Sequence, residues 1–85
     1  MNDKLGKENF SVYPNPFESQ LVISHHNSIK FYHFEIYSID GHLIYSEQNP
    51  IQGDYSINFS YLHKGFYILR IIHGESILEK KLFKK

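Results

Sequence analysis

Apolar residues in this chain recur in short runs with a period of two, and turn residues separate the runs. Phe10–Tyr13 is the first run. It stops at Pro14-Asn15-Pro16, where each proline removes an amide donor and pushes the residue before it to extended geometry. Gln20–Ser24 is the second, followed by the polar stretch His25–Ser28. In the third, Lys30–Ser38, Phe34 and Ile36 alternate against His33 and Glu35. Asp40-Gly41 marks a hairpin turn, because glycine accepts positive φ without steric cost. Two geometries stand open there, a two-residue turn and a type I turn with a glycine bulge. They differ by one register step, which exchanges Leu43 and Ile44 between faces. His42–Glu47 returns, Asn49-Pro50 and Gln52-Gly53 frame a longer loop, and Asp54–Phe59 places Tyr55, Ile57 and Phe59 on one face. The chain closes with a hairpin that runs from Leu62 to His73, turns at Gly74-Glu75, and ends in a basic strand from Ser76 to Lys85.

Seven short strands at this spacing predict an all-β fold, a seven-stranded antiparallel immunoglobulin-like β-sandwich. Seven Tyr and seven Phe against a single Met reinforce strand over helix. One local device fits a sandwich in particular. Leu62-x-x-Gly65-x-Tyr67 has the form of a tyrosine corner, in which the Tyr hydroxyl bonds back to upstream backbone at a sheet-crossing bend. Leu62 then plugs the core edge, Gly65 permits the bend, and Tyr67, Leu69 and Ile71 face inward. Phe66, Ile68, Arg70 and Ile72 form an unusually apolar opposite face. Either neighbouring side chains cover it, or it is a patch for a partner.

Length and charge narrow the functions. Eighty-five residues make one domain, with residues 10–85 as its body and 1–9 a polar linker or a remnant of expression. A chain this short leaves little room for a buried catalytic cavity, and its stability should fall toward the low end of about 5–15 kcal/mol. The formal net charge is zero, which gives no support to a nucleic-acid partner, yet Lys80, Lys81, Lys84 and Lys85 crowd the end. There is no cysteine, hence no disulfide or thiolate metal site. No apolar run approaches the roughly 18 residues of a membrane span, and 1–9 lacks the apolar centre of a signal peptide. Any export signal lies on a longer parent or has been removed.

Three blocks converge on a resemblance: Val12-Tyr13-Pro14-Asn15-Pro16, then Phe34 through Ile44 around Asp40-Gly41, then Tyr61-Leu62-x-x-Gly65-x-Tyr67 leading into Lys80-Lys81-Leu82-Phe83-Lys84. In this order and spacing the chain resembles the C-terminal sorting domain of the type IX secretion system of Bacteroidetes, type A group, from about Phe10 to Lys85. The resemblance implies a sorting signal that ends a larger secreted protein and directs it through the periplasm and across the outer membrane, to the cell surface or beyond. It implies an outer-membrane translocon and a sortase-like peptidase as partners, with cleavage before Phe10, Gly6 being the nominated position. Lys80, Lys81, Leu82, Phe83, Lys84 and Lys85 then stand as the elements the translocon recognises. Pro14, Asn15, Pro16, Gly41, Leu62, Gly65 and Tyr67 stand as the fold motif.

Physical reasoning makes that role intelligible. A last strand at a sheet edge exposes unpaired amides and carbonyls to which a receptor can add a strand. Its lysines are expected to be exposed, where each contributes only about 0–1 kcal/mol to the fold. They either protect the edge from self-association or are read by acidic contacts, and a free edge permits dimers without requiring them.

Other chemistry finds little support. His25, His26, His33, His42, His63 and His73 show no ligand spacing, and read as solvated surface residues rather than metal ligands. No cofactor motif, carboxylate pair or nucleophile elbow appears, so no enzyme is expected. Asn9-Phe10-Ser11 and Asn58-Phe59-Ser60 match the glycosylation triplet, the second with a core residue at its centre. Two rivals remain. A carbohydrate- or matrix-binding accessory module needs an exposed row of aromatics, with Tyr32, Tyr37, Tyr45 and Phe66 as candidates. A fibronectin-type spacer should tolerate loss of the last residues.

Overall fold

The computed structural model describes residues 4–5, 10–25, 32–48 and 54–85. These form eight strands: β1 (Lys4–Leu5), β2 (Phe10–Tyr13), β3 (Gln20–His25), β4 (His33–Ser38), β5 (Leu43–Gln48), β6 (Tyr55–Asn58), β7 (Gly65–His73) and β8 (Ser76–Lys84). They build two four-stranded antiparallel sheets, ordered β1-β2-β3-β6 and β5-β4-β7-β8. The seven expected strands all form within a residue or two of their expected bounds, apart from the third, which begins at His33, and the sixth, which begins at Gly65 rather than Leu62; 26–31 lie outside the described residues. The eighth is β1, two residues paired with Phe10 and Ser11.

Alternation sets the core. Val12, Leu21, Ile23, Phe34, Ile36, Ile57, Leu69 and Ile71 are all buried and come from both sheets. Between them and their neighbours on each strand lie half-buried or exposed residues, as a sandwich with two wet outer faces requires. Phe17 and Phe59 sit outside the strands yet are buried to 1% and 0% exposure, and their rings meet edge-on at 6.5 Å. They close one end of the sandwich. At the other end Phe10 contacts the rings of His25, Tyr32 and His73. His25 and His73 are therefore half-buried in an aromatic cluster and His33 is half-buried in its strand. Among the described residues the expectation of solvated histidines thus holds for exposed His42 and His63, while His26 lies outside them.

The β4–β5 turn takes the bulged form. Gly41 N–H donates to Ser38 C=O at 3.0 Å, Ser38 N–H donates to His42 C=O at 2.8 Å, and Gly41 has φ 95°. This is a type I turn followed by a left-handed glycine. The ladder shifts register beside Ile36 and Tyr37, which leaves Leu43 exposed and packs Ile44 against the core. The Ser38 hydroxyl bonds the Asp40 carboxylate and holds it below its ordinary pKa.

The tyrosine corner is present. Tyr67 hydroxyl donates to His63 C=O at 2.7 Å, Leu62 packs against the core, and Gly65 adopts φ 141°, where an L side chain would be strained. That bend delivers β7 into the centre of its sheet and leaves β8 at the edge.

Candidate docking site at the last strand

β8 pairs with β7 from His73↔Ser76 to Gly65↔Lys84, and the register sorts its residues by parity. Residues directly opposite in a ladder share a face. Leu78, Lys80, Leu82 and Lys84 lie opposite Ile71, Leu69, Tyr67 and Gly65, so they are on the core side. Ile77, Glu79, Lys81 and Phe83 lie opposite Ile72, Arg70, Ile68 and Phe66 on the outer face.

This overturns the expectation that the terminal lysines are all exposed. Lys84 is only 7% exposed, its ammonium donating to the Lys85 carbonyl at 3.1 Å, and Lys80 is half-buried. Leu82 is a core residue. Lys81 and Lys85 remain exposed, and Phe83 is half-buried. The lysines alternate with the strand, and a run of basic letters does not reveal that they serve two surfaces.

The edge itself is half occupied. Phe83 turns its N–H and C=O away from β7, and by the period of two so do Ile77, Glu79 and Lys81. The loop after β2 takes the place of a neighbouring strand along the terminal half. Asn15 Nδ2 donates to Lys81 C=O at 3.2 Å, and Asn15 Oδ1 accepts from Phe83 N–H at 3.1 Å. Phe17 N–H donates to Phe83 C=O at 2.9 Å, and Lys85 N–H donates to Phe17 C=O at 2.8 Å. Phe17 and Lys84 form a parallel bridge. Pro14 and Pro16, both after cis peptide bonds, flank Asn15 and donate nothing. Sequence reading placed Pro14-Asn15-Pro16 in the fold motif but missed this latch, since an Asn between prolines gives no sign of a partner 66 and 68 residues away. Among the described residues, nothing hydrogen-bonds the outward backbone of Ile77 and Glu79; β1 runs beside β8 without joining its sheet.

The outer face of this sheet is charged in the middle and apolar at one corner. Arg70 lies 3.7 Å from Glu35 and 3.4 Å from Glu79. Tyr37 hydroxyl donates to Glu35 at 2.8 Å, and His33 Nε2 lies 3.1 Å from it. The Tyr37 hydroxyl, then His33, hold the Glu35 carboxyl below its usual range. At the corner the Phe66 and Phe83 rings lie 5.0 Å apart, and Lys81 Nζ sits 4.5 Å above the Phe66 ring. Phe66 is 48% exposed. A shallow groove of about 360 Å³ between Tyr37, Ile39, Ile68 and Arg70 adjoins it.

The aromatic row needed by a carbohydrate-binding module does not form. Tyr32 is buried, Tyr45 packs against the core, and Tyr37 is bonded to Glu35 under Arg70. Of the four candidates only Phe66 is exposed. Among the described residues no three His, Asp or Glu side chains group as metal ligands, and no helix could cross a membrane.

A family model described as the secretion system C-terminal sorting domain matches residues 11–85. No curated protein matches the chain.

Proposed function

Because the chain belongs to the family of C-terminal sorting domains of the type IX secretion system, and so carries a signal for secretion through the outer membrane as part of a larger protein, we propose that it hands that protein to an outer-membrane translocon and is then removed by a sortase-like peptidase. The family is not an enzyme family, and the chain acts as an address. The observation that carries this reading is the match through residue 85, which takes in the whole of β8, a strand at the edge of its sheet. Cleavage falls in the stretch before Phe10, upstream of the matched residues.

The test is a reporter with a signal peptide, fused ahead of the full chain and expressed in a bacteroidete cell. Arrival of the reporter outside the cell, lighter than the fusion by somewhat less than the 10.1 kDa of the full chain, is expected. Retention in the periplasm overturns delivery, and secretion of the intact fusion overturns removal. Deleting Lys80–Lys85 is a poor probe on its own. It takes Leu82 from the core and the Asn15 and Phe17 bonds from the edge, so folding and recognition fail together.

A further inference from the structure

We infer that the translocon reads the last strand face-on, through the corner formed by Phe66, Ile68, Lys81 and Phe83, and that its complementary surface is a protein patch with an apolar centre and a carboxylate aimed at Lys81. This rests on the sorting function proposed above. The latch is the first reason. Of the outward backbone groups that strand addition along Lys81–Lys85 would use, the Lys81 C=O, both groups of Phe83 and the Lys85 N–H are already bonded to Asn15 or Phe17. A partner that reaches these residues without dismantling the loop meets side chains, not backbone.

The outer face narrows the choice of side chains. Leu82 and Lys84 point into the core side, which leaves Lys81 and Phe83 as the outer-face residues of the terminal half. Phe66 lies directly opposite Phe83 and is half exposed, so the two rings and Ile68 make one apolar patch.

Charge then selects the occupant. In the middle of the face, Arg70 is matched by Glu35 and Glu79. Among the described residues the Lys81 ammonium lies over an aromatic ring and no carboxylate pairs with it. A cation over an aromatic patch fits an acidic side chain set among apolar ones. A second copy stacked about a two-fold axis at this corner would bring Lys81 toward its own equivalent, which disfavours self-association.

The experiment compares face and edge variants in the secretion assay, with the unmodified chain as reference. Lys81→Glu and Phe66→Ser should each cut export by about tenfold or more, the first by setting a like charge at the docked carboxylate and the second by removing a ring from the apolar patch. Both variants should melt cooperatively as isolated chains. Ile77→Pro and Glu79→Pro remove outward N–H groups without touching the β7 ladder, and should export normally. The reverse result, export lost in a folded proline variant and kept in both face variants, overturns the proposal in favour of strand addition. Full export by all four folded variants overturns it too, while failure of the unmodified chain to export would instead strike the sorting function. Two further results overturn it: a dimer in ultracentrifugation that Phe66→Ser dissolves, and binding to phosphatidylglycerol vesicles that Lys81→Glu abolishes.

Discussion

The two halves of β8 belong to one strand and share one partner, β7, yet they meet their surroundings differently. From Ser76 to Lys80 the outward backbone faces no strand of its own sheet. From Lys81 to Lys85 the same kind of edge is covered by an Asn side chain and a short stretch of loop backbone. An edge strand is a hazard because any extended chain can pair with it. Here the protection is applied to the half that carries the densest basic charge. Hydrogen-bonded backbone there is tied down by contacts from the start of the domain, so the last residues are held by elements far away in sequence rather than frayed.

Removing the latch's anchor is the most severe way to break this contrast. Phe17 is fully buried against Phe59, and Phe17→Ala should cost about 3–5 kcal/mol, measured by urea unfolding. In a domain this small that loss consumes much of the stability, and an effect under about 1 kcal/mol would show that the loop is not seated in the core.

Asn15→Ala sharpens the contrast instead. It strips two hydrogen bonds from β8 and leaves the core intact, so about 1–2 kcal/mol should be lost. Native-state hydrogen exchange should speed up at the Phe83 amide and stay unchanged at the Leu78 amide, which lies in the other half. Equal acceleration of both would erase the distinction drawn between the halves.

Tyr32 supplies a test at the opposite end of the sandwich from the latch. Its hydroxyl is buried without a hydrogen-bond partner among the described residues, and burial pushes its pKa up to about 12. Tyr32→Phe should therefore raise stability by about 1 kcal/mol. Because the folded value lies above the unfolded one, the stabilisation linked to the protonated phenol is whole below about pH 10 and lost as pH rises toward 12. The variant should lose less stability than the parent between those limits.

The smallest effect belongs to the outer face. Glu35 is held below its ordinary pKa by Tyr37 and His33, so its contribution is present above about pH 4.3 and fades as pH falls through the lowered value. Urea midpoints of the parent and Glu35→Gln should thus differ most near neutral pH and converge in acid. A gap that widens in acid would contradict the hydrogen bonds assigned to that carboxylate.

Much of this architecture was legible in the chain because its causes are local. Period-two alternation marks buried faces from any starting point, and Leu62, Gly65 and Tyr67 announce their bend within six residues, the Tyr67 bond reaching only to His63. Gly41 signalled a turn, although the choice of the bulged form, and with it the fate of Leu43 and Ile44, needed the register of β5 against β4. Distant pairings were not legible. Asn15 reads as a turn residue until β8 is brought beside it, and Tyr32 reads as a candidate surface ring until Phe10 packs on it. The terminal lysines show the same division. Their number and order are written in the sequence, but which of them faces water depends on the register with β7. That register is set by where the tyrosine corner releases one strand and where Gly74 turns it into the next. Side-chain direction in a sheet is a property of the ladder, and a ladder joins residues that the chain itself keeps apart.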